Sequence, residues 1–266
     1  MAEKLSADYP VEAVARCADG GSGTVFLAVS GGLDSMVLMH AATRVLPCER
    51  LCVLHVDHGL AGESAEWADF VSRAAESKGV RILVKSVRVE AGSGVEAAAK
   101  AARYGWFEEL LGERDVLLTA HHERDHAETV LLRLVQGRGA YGMPERRPLG
   151  AGVLKRPFIG VSYDTLLDYA AAQRVESIVD PSNLEVEFDR NFIRHEVMSR
   201  LAERWPDVSG RLAAVAGRDE AREKAGRLLV AKVDALPLDP ADPDAAAQAL
   251  RWWLEARWRT EARSGV

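Results

Sequence analysis

Short apolar runs and amphipathic stretches alternate through the first half of the chain. Val25 to Val29 (VFLAV) is wholly apolar and runs into Ser-Gly-Gly, the pattern of a parallel strand buried on both faces. Leu33 to Val45 reads as a helix, and Leu51 to Val56 as a second apolar strand. Glu63 to Lys78 sets Trp67, Phe70, Val71 and Ala74 along one helical face. Arg81 to Val89 begins with Ile82 and Val84 in alternation, a third strand. Val95 to Leu111 is an alanine-rich helix, Val116 to Thr119 a fourth strand, and Asp125 to Val135 a fourth helix. Repeated strand–helix alternation predicts an α/β fold: a Rossmann-like, doubly wound, mainly parallel sheet of five strands with helices on both faces.

The pattern changes at Gln136. The stretch to Gly152 is rich in glycine and proline and reads as a loop beside the cleft, mobile and solvated. From Arg138 to Phe158 it carries five basic residues against one acidic. Ser162 to Arg174 returns as a helix with Ser162 at its N-cap. After a turn at Asp180-Pro181-Ser182-Asn183, a long helical region runs from about Arg190 to Lys232, with Pro206 starting a new helix within it. LPLDPADPDA (236–245) reads as a linker. A last amphipathic helix carries Leu250, Trp253, Leu254 and Trp258. The domain division expected is a helical extension over 1–22, the α/β domain over 23–205 and a small helical region over 206–266.

Composition removes several classes. The 266 residues are 48% hydrophobic and 28% charged, too apolar for disorder. Three cysteines, Cys17, Cys48 and Cys52, cannot make a disulfide scaffold. No apolar run approaches the roughly 20 residues of a membrane span, and the N-terminus lacks the apolar core of a signal peptide. A reducing, cytoplasmic setting is expected, with no membrane partner. The net charge of −6 argues against nucleic acid as a partner. It hides local basic stripes, however, among them nine basic against six acidic residues from Arg190 to Arg227.

The chemistry-bearing residues gather at strand ends. Ser30-Gly31-Gly32-Leu33-Asp34-Ser35 lies between the first strand and the first helix. Glycines free the backbone to turn, successive N–H groups converge on an anion, and Ser30 and Ser35 add hydroxyls. Asp34 would repel phosphate directly; its expected role is to hold Mg²⁺, directly or through water. A tight serine-capped turn with no ligand is the alternative. His55-Val56-Asp57-His58-Gly59-Leu60 ends the second strand. Thr119 to Thr129 (TAHHERDHAET) ends the fourth, where open parallel sheets bind ligands. There Asp125 and Glu128 are three apart, share a helical face, and suit an ammonium group. His122 and His126, four apart, leave metal binding open, although HExxH is absent. Arg190 and Arg194 are also four apart, a phosphate-gripping pair or a solvated salt-bridged face.

SGGLDS resembles the pyrophosphate-binding loop of the N-type ATP pyrophosphatases (PP-loop enzymes). The later blocks resemble one family among them, the tRNA(Ile)-lysidine synthetases. HVDHGL is similar to that family's HxxHGLR with Ala61 at the arginine, and AKAARY (99–104) to AR-x-x-RY with Lys100 at the first arginine. TAHHERDHAET is similar to TAHHxDDQAET with Arg124 and His126 replacing aspartate and glutamine. DPSN, then RNFIR (190–194) and Trp205-Pro206, are close to DPSN…RNxIRxxxxPxL. Gly137-Arg138-Gly139-Ala140 stands where the family often has RGSG. The resemblance spans roughly residues 25–205.

That resemblance implies a ligase using ATP and Mg²⁺ to join L-lysine to the wobble cytidine of tRNA(Ile), anticodon CAU, through an adenylated cytidine. It further implies nucleotide binding by Ser30, Gly31, Gly32, Leu33, Asp34, Ser35, His55 and Asp57. Asp34, Asp125 and Glu128 would be catalytic. Lysine would be held by Arg103, His121, His122, Asp125 and Glu128, and tRNA by Arg138, Arg146, Arg147, Arg190 and Arg194. Two rivals stay open: another PP-loop adenylating enzyme with a different tRNA base or small molecule, and an ATP-binding module without turnover. The oligomeric state, monomer or homodimer, is open as well.

Overall fold

The computed structural model describes residues 8–18, 21–57, 64–87, 95–179 and 189–217. In chain order these form α1 (Tyr9–Ala18), β1 (Val25–Ala28), α2 (Leu33–Val45), β2 (Leu51–Asp57), α3 (Ser64–Ser77), β3 (Arg81–Ser86), α4 (Val95–Leu110), β4 (Val116–Leu118), α5 (Glu123–Val135), β5 (Arg146–Leu149), β6 (Gly152–Lys155) and α6 (Tyr163–Gln173). Then come α7 (Asp189–Phe192), a π-helical stretch (Ile193–Met198) and α8 (Ser199–Arg204). Helical backbone resumes over 208–217. The second half of HVDHGL, the DPSN turn, the 236–245 linker and the last amphipathic helix lie outside the described residues.

The sheet order is β3-β2-β1-β4-β6-β5. The five strands from β3 to β6 run parallel, and β5 pairs antiparallel with β6. The expected five parallel strands are therefore present, and a sixth closes the edge. That sixth strand corrects the expectation of one mobile loop over 136–152. Arg146-Arg147-Pro148-Leu149 turns back on Gly152–Lys155 as a hairpin, with Leu149 opposite Gly152. Proline and arginine suit an edge strand, which has no partner on its outer side.

The alternation of VFLAV has a physical outlet on both faces. Val25, Leu27 and Val29 pack with α1, α2 and α6, while Phe26 packs with Trp106, Phe107, Leu117 and Leu154 on the α4 side. A third apolar cluster joins Ala127 of α5 to Ile193, Met198 and Val208. It seats the 189–208 segment against α5. Strand order reverses at β1: β2 lies on one side of it and β4 on the other. The crevice outside the carboxyl ends of β1 and β4 is thus the switch point at which such sheets bind ligands.

The hairpin depends on Gly150, which has φ +56°, and a Cβ there would lie 2.5 Å from the Glu108 carbonyl oxygen. Gly150→Ala is expected to destabilise by about 1–3 kcal/mol, read as a lowered urea midpoint with unchanged slope. An unaltered midpoint would show that the turn tolerates a side chain.

Candidate active site

The loop after β1 is built around Ser35. Its hydroxyl accepts from the Ser30 and Gly31 N–H groups (3.1 and 3.2 Å) and donates to the Gly32 carbonyl (2.8 Å). The Ser35 hydroxyl is therefore committed to shaping the loop, whereas the sequence suggested that it faces the ligand. Ser30 is exposed and is the hydroxyl that remains outward. Gly31 has φ +99°, reserved for glycine, and its carbonyl is clamped by the Ile178 N–H at 2.9 Å. No side chain caps α2 at Gly32. The first-turn N–H groups of Leu33, Asp34 and Ser35 thus give α2 a positive end for an anion.

Asp34 lies in that first turn. Its Oδ2 is 3.6 Å from His122 Nε2, while its Oδ1 is buried with no hydrogen-bond partner. A buried carboxylate oxygen without a donor suits a cation. Among the described residues no cluster of three or more His, Cys, Asp or Glu can hold a metal by itself. This donor set fits Mg²⁺, which takes one or two carboxylates and completes its shell with phosphate oxygens and water.

α5 begins at the neighbouring strand end with His122 as N-cap. The Arg124 N–H donates to His122 Nδ1 (3.2 Å), and Asp125 Oδ2 accepts from the His122 N–H (3.1 Å) in a reciprocal capping box. Since Nδ1 accepts, the proton of His122 sits on Nε2, between Asp34 Oδ2 and Asp125 Oδ2 (3.5 Å). His122 thereby links the loop after β1 to α5.

The acidic and basic pairs of the sequence meet in one cluster. Asp125 Oδ1 accepts from Arg190 Nη2 (2.8 Å) and Arg194 Nη2 (2.9 Å). Glu128, 1% exposed, accepts from Arg194 Nε (2.7 Å) and Nη2 (2.9 Å), with Arg190 Nε at 3.4 Å. This corrects two expectations together. Arg190 and Arg194 turn inward instead of presenting themselves to phosphates. Asp125 and Glu128 are occupied by guanidiniums instead of being open to an ammonium. The π-helical stretch contributes here, as such stretches often do at functional sites. The Arg194 carbonyl accepts from Ser199 Oγ (3.3 Å) and lies 3.5 Å from Arg124 Nη2. Arg124 also lies 3.6 Å from Glu128 and over the Tyr163 ring. Three carboxylates (Asp34, Asp125, Glu128) thus face three guanidiniums (Arg124, Arg190, Arg194).

Electrostatics follow from this packing. Burial would raise Asp125, but His122, Arg190, His121 and Arg194 hold its carboxyl well below the usual range. Burial would lower His122, but the Asp34 hydrogen bond and the charges of Asp125, Asp34 and Glu128 push it up. His121, with Nδ1 2.9 Å from Thr119 Oγ1, is pushed down to about 3. Burial is the main cause, with Arg190, Arg156 and Arg103 adding to it against Asp125. An unfolded histidine takes its proton near 6.5, so between these values the unfolded state binds more protons. Stability should therefore fall on acidification from about pH 6.5 towards 3, by up to about 1.4 kcal/mol per pH unit. His122 acts oppositely, contributing stability at low pH that is lost above its raised value. His121→Asn is expected to shrink the drop in Tm between pH 7 and pH 5; an equal drop in both proteins would refute the assignment.

The remaining expected residues scatter. His55 Nδ1 donates to the Val29 carbonyl (2.8 Å), and burial lowers its pKa, so it braces the strand end from beneath as a neutral ring. Asp57 ends β2 beside Ser86 (3.5 Å). Arg103 lies over Tyr104 on α4, and Arg147 lies over the same ring from β5. Arg138 and Arg146 are exposed. Arg156, the end of the basic stretch from Arg138 that was expected to meet tRNA phosphates, is instead buried directly after β6. Its signal, a charged residue at the end of a short apolar run, was masked by reading the hairpin as loop. Cys48 Sγ donates to the Lys78 carbonyl, and the three cysteines are free.

The family profile described as a PP-loop domain matches residues 10–201. A tRNA(Ile)-lysidine synthase of Pseudomonas aeruginosa is 44% identical over 196 residues, 71% of this chain and 44% of the relative. That of Alkalilimnicola ehrlichii is 40% identical over 247 residues, 89% of this chain and 54% of the relative. The chain spans about half the length of the curated relatives it matches. Among solved structures, the U34-tRNA thiolase NcsA from Methanococcus maripaludis superposes with a TM-score of 0.64. It is 16% identical over 80% of this chain and 77% of that one, a likeness of fold. Among the described residues no helix is long and apolar enough to cross a membrane.

Proposed function

The chain belongs to the PP-loop domain family, and from that premise we propose that it is an ATP-dependent carbon–nitrogen ligase joining L-lysine to the wobble cytidine of tRNA(Ile). One observation carries the reading. The SGGLDS loop and the His121–Glu128 cluster meet at the β1/β4 switch point, in a chain 44% identical to a lysidine synthase over 196 residues.

The first-turn N–H groups of α2 and the Ser30 hydroxyl bind the β and γ phosphates of ATP. Asp34, whose Oδ1 is buried without a hydrogen-bond donor, would hold Mg²⁺, and that ion would supply neutralisation of phosphate charge. The cytidine 2-oxygen attacks the α-phosphorus and the bond to pyrophosphate breaks. The lysine ε-nitrogen then attacks C2, and the C2–O bond breaks to release AMP. That amine must arrive neutral. His121, neutral far below pH 7, is too weak a base to take the proton, and Asp125 is weaker still. Desolvation on entering the site lowers the amine's own proton affinity instead, so the neutral form attacks, and the proton it sheds on bonding to C2 leaves with the AMP phosphate. His122, bridging Asp34 and Asp125, holds the nucleotide and amine halves of the site in register. The exposed Arg138 and Arg146 meet tRNA phosphates, so binding weakens with salt; the setting is the cytoplasm.

The balanced charge around Arg124 favours one second reading, PP-loop adenylation serving a less cationic nucleophile than lysine. AMP formation with ATP and a CAU-anticodon tRNA(Ile) transcript, before any amine is added, tests the first half-reaction. Adenylation of this transcript alone supports the reading, and equal AMP formation with no RNA contradicts it.

A further inference from the structure

The loop that leaves α5 presents an aromatic ring on a fixed base. Tyr141 is 44% exposed, and the Arg133 guanidinium lies 4.7 Å from its ring centre. The same guanidinium donates to the carbonyls of Tyr141 (2.9 Å) and Gly142 (2.5 Å), so one arginine holds both the ring and the backbone beneath it. Gly139 lies against the ring, since a Cβ there would be 3.1 Å from Tyr141 Cε1. Gly142 lies against His126 in the same way, a Cβ there being 2.2 Å from the imidazole Nε2. Further on, the Pro144 carbonyl accepts from Arg156 Nη1 (2.6 Å) and the Glu145 carbonyl from the Arg156 N–H (2.9 Å). Tyr141, Gly142, Pro144 and Glu145 are thus all tied to groups outside the loop, and the ring is held where it stands.

The surroundings say what such a ring meets. Leu134 and Val135, at the end of α5, are exposed as well, and so are Arg138 and Arg146. An aromatic face among exposed arginines suits a partner that is itself flat, aromatic and anionic, which describes unpaired bases on a phosphate backbone. A second copy of the chain docking by this face would set its own arginines against these, like charge against like. The position fits the same partner. His126 follows Asp125 in α5, and Arg156 leaves the carboxyl end of β6 beside β4, so the loop is anchored along the rim of the crevice. A nucleotide whose base enters that crevice leaves its stack, and the base next to it loses a neighbour. A ring fixed at the rim replaces that neighbour.

We propose that Tyr141, backed by Arg133, is the stacking platform for an unpaired RNA base adjoining the nucleotide that is modified. This rests on the ligase reading above and deepens it: Arg138 and Arg146 contact phosphates, while Tyr141 contacts a base through its ring. Stacking is tolerant of base identity, so the platform holds the strand in register and leaves discrimination to the crevice.

The test measures binding of a tRNA(Ile) anticodon stem-loop bearing CAU to the full chain, without ATP or lysine. The loop carries 2-aminopurine at one or the other neighbour of the wobble cytidine. Tyr141→Ala should weaken binding by about 5–150-fold, and Tyr141→Phe should stay within about twofold of the parent, because the ring and not the hydroxyl makes the contact. One of the two probes should be quenched on the parent chain and brighten on Tyr141→Ala. The dependence of binding on salt should keep its slope in Tyr141→Ala, since no charge is lost, whereas Arg138→Gln should lower the slope by about one. A merely structural role for Tyr141 would not separate slope from affinity in this way. Binding by Tyr141→Ala equal to the parent's overturns the proposal. So does a fall in molecular mass by light scattering in Tyr141→Ala, which would make the patch an interface between copies. Lysine transfer together with unchanged stem-loop binding by Tyr141→Ala removes the platform and leaves the ligase reading. Binding that depends on Tyr141 with no lysine transferred does the reverse, and a parent chain that binds no RNA overturns both.

Discussion

Asp34→Asn is expected to lower pyrophosphate release by about a thousandfold or more while leaving Tm within a degree or two. The carboxylate stands in the first turn of α2, one oxygen buried with no hydrogen-bond partner and the other 3.6 Å from His122. An amide of the same shape keeps the contact to His122 but loses the charge that holds a divalent cation against phosphate. Preorganised charge of this sort accounts for several kcal/mol of barrier, about 10²–10³ per group removed and more where a metal is lost with it. Stability should move little, because the side-chain carboxylates of Asp125 and Glu128, which act on the same His122, offset the attraction of that ring for Asp34. The variant should also need far more Mg²⁺ to bind ATP, measurable by titrating the cation at fixed nucleotide. Wild-type turnover in Asp34→Asn would remove Asp34 from the chemistry.

The second large effect is on the fold of the site. Glu128→Ala leaves the Arg190 and Arg194 guanidiniums with Asp125 as their remaining carboxylate. Removing one partner of a buried ion pair costs about 3–5 kcal/mol. Arg194 and Arg190 keep 25% and 31% of their side-chain exposure, and water compensates in part, so about 2–3 kcal/mol is expected here. Glu128→Gln, which keeps the shape and an acceptor, should cost less than half as much. Activity should fall with both, because loss of the Glu128 carboxylate releases Arg190 and Arg194 from the cluster that they form with Asp125 beside His122. Equal Tm values for parent and Glu128→Ala would mean that the cluster is not closed in solution.

The expectations that held rested on patterns that are local in the chain. VFLAV and the run from Leu51 are apolar on both faces because β1 and β2 lie inside the sheet, so a single period sufficed to find them. Ser162 was legible as an N-cap because capping needs only three residues; its hydroxyl accepts from the Thr165 N–H. The hairpin was not legible: Arg146-Arg147-Pro148-Leu149 is an edge strand, whose outward positions are polar and whose proline is tolerated for want of an outer neighbour. The helical region expected from Arg190 breaks at Trp205-Pro206 as the proline indicated, but the π-helical stretch within it was not legible, because widened backbone bonding leaves no mark on side-chain spacing.

The site divided in the same way. Spacing three and four apart showed that Asp125 and Glu128 share a face, and Arg190 and Arg194 another. It could not show that the two faces meet, across 62 to 69 residues of chain. Each pair was therefore assigned an external ligand of opposite charge, whereas the fold supplies each with the other. Arg124 stood out as a departure from the family pattern, and the structure gives it a place against Glu128 and Tyr163. The burial of Arg156 was hidden, because burial of a charge is a property of the assembled sheet, not of its neighbours in sequence.

The most direct measurement is lysine transfer to an unmodified tRNA(Ile) transcript bearing the anticodon CAU. Labelled L-lysine, ATP and Mg²⁺ are supplied with single omissions, and pyrophosphate is followed alongside. Lysine attached to the wobble cytidine, one pyrophosphate per lysine and none without the tRNA, is the result predicted. Pyrophosphate release that ignores the tRNA, or adenylation of it with no lysine joined, would contradict the ligase reading and leave the PP-loop fold as what this chain shares with its relatives.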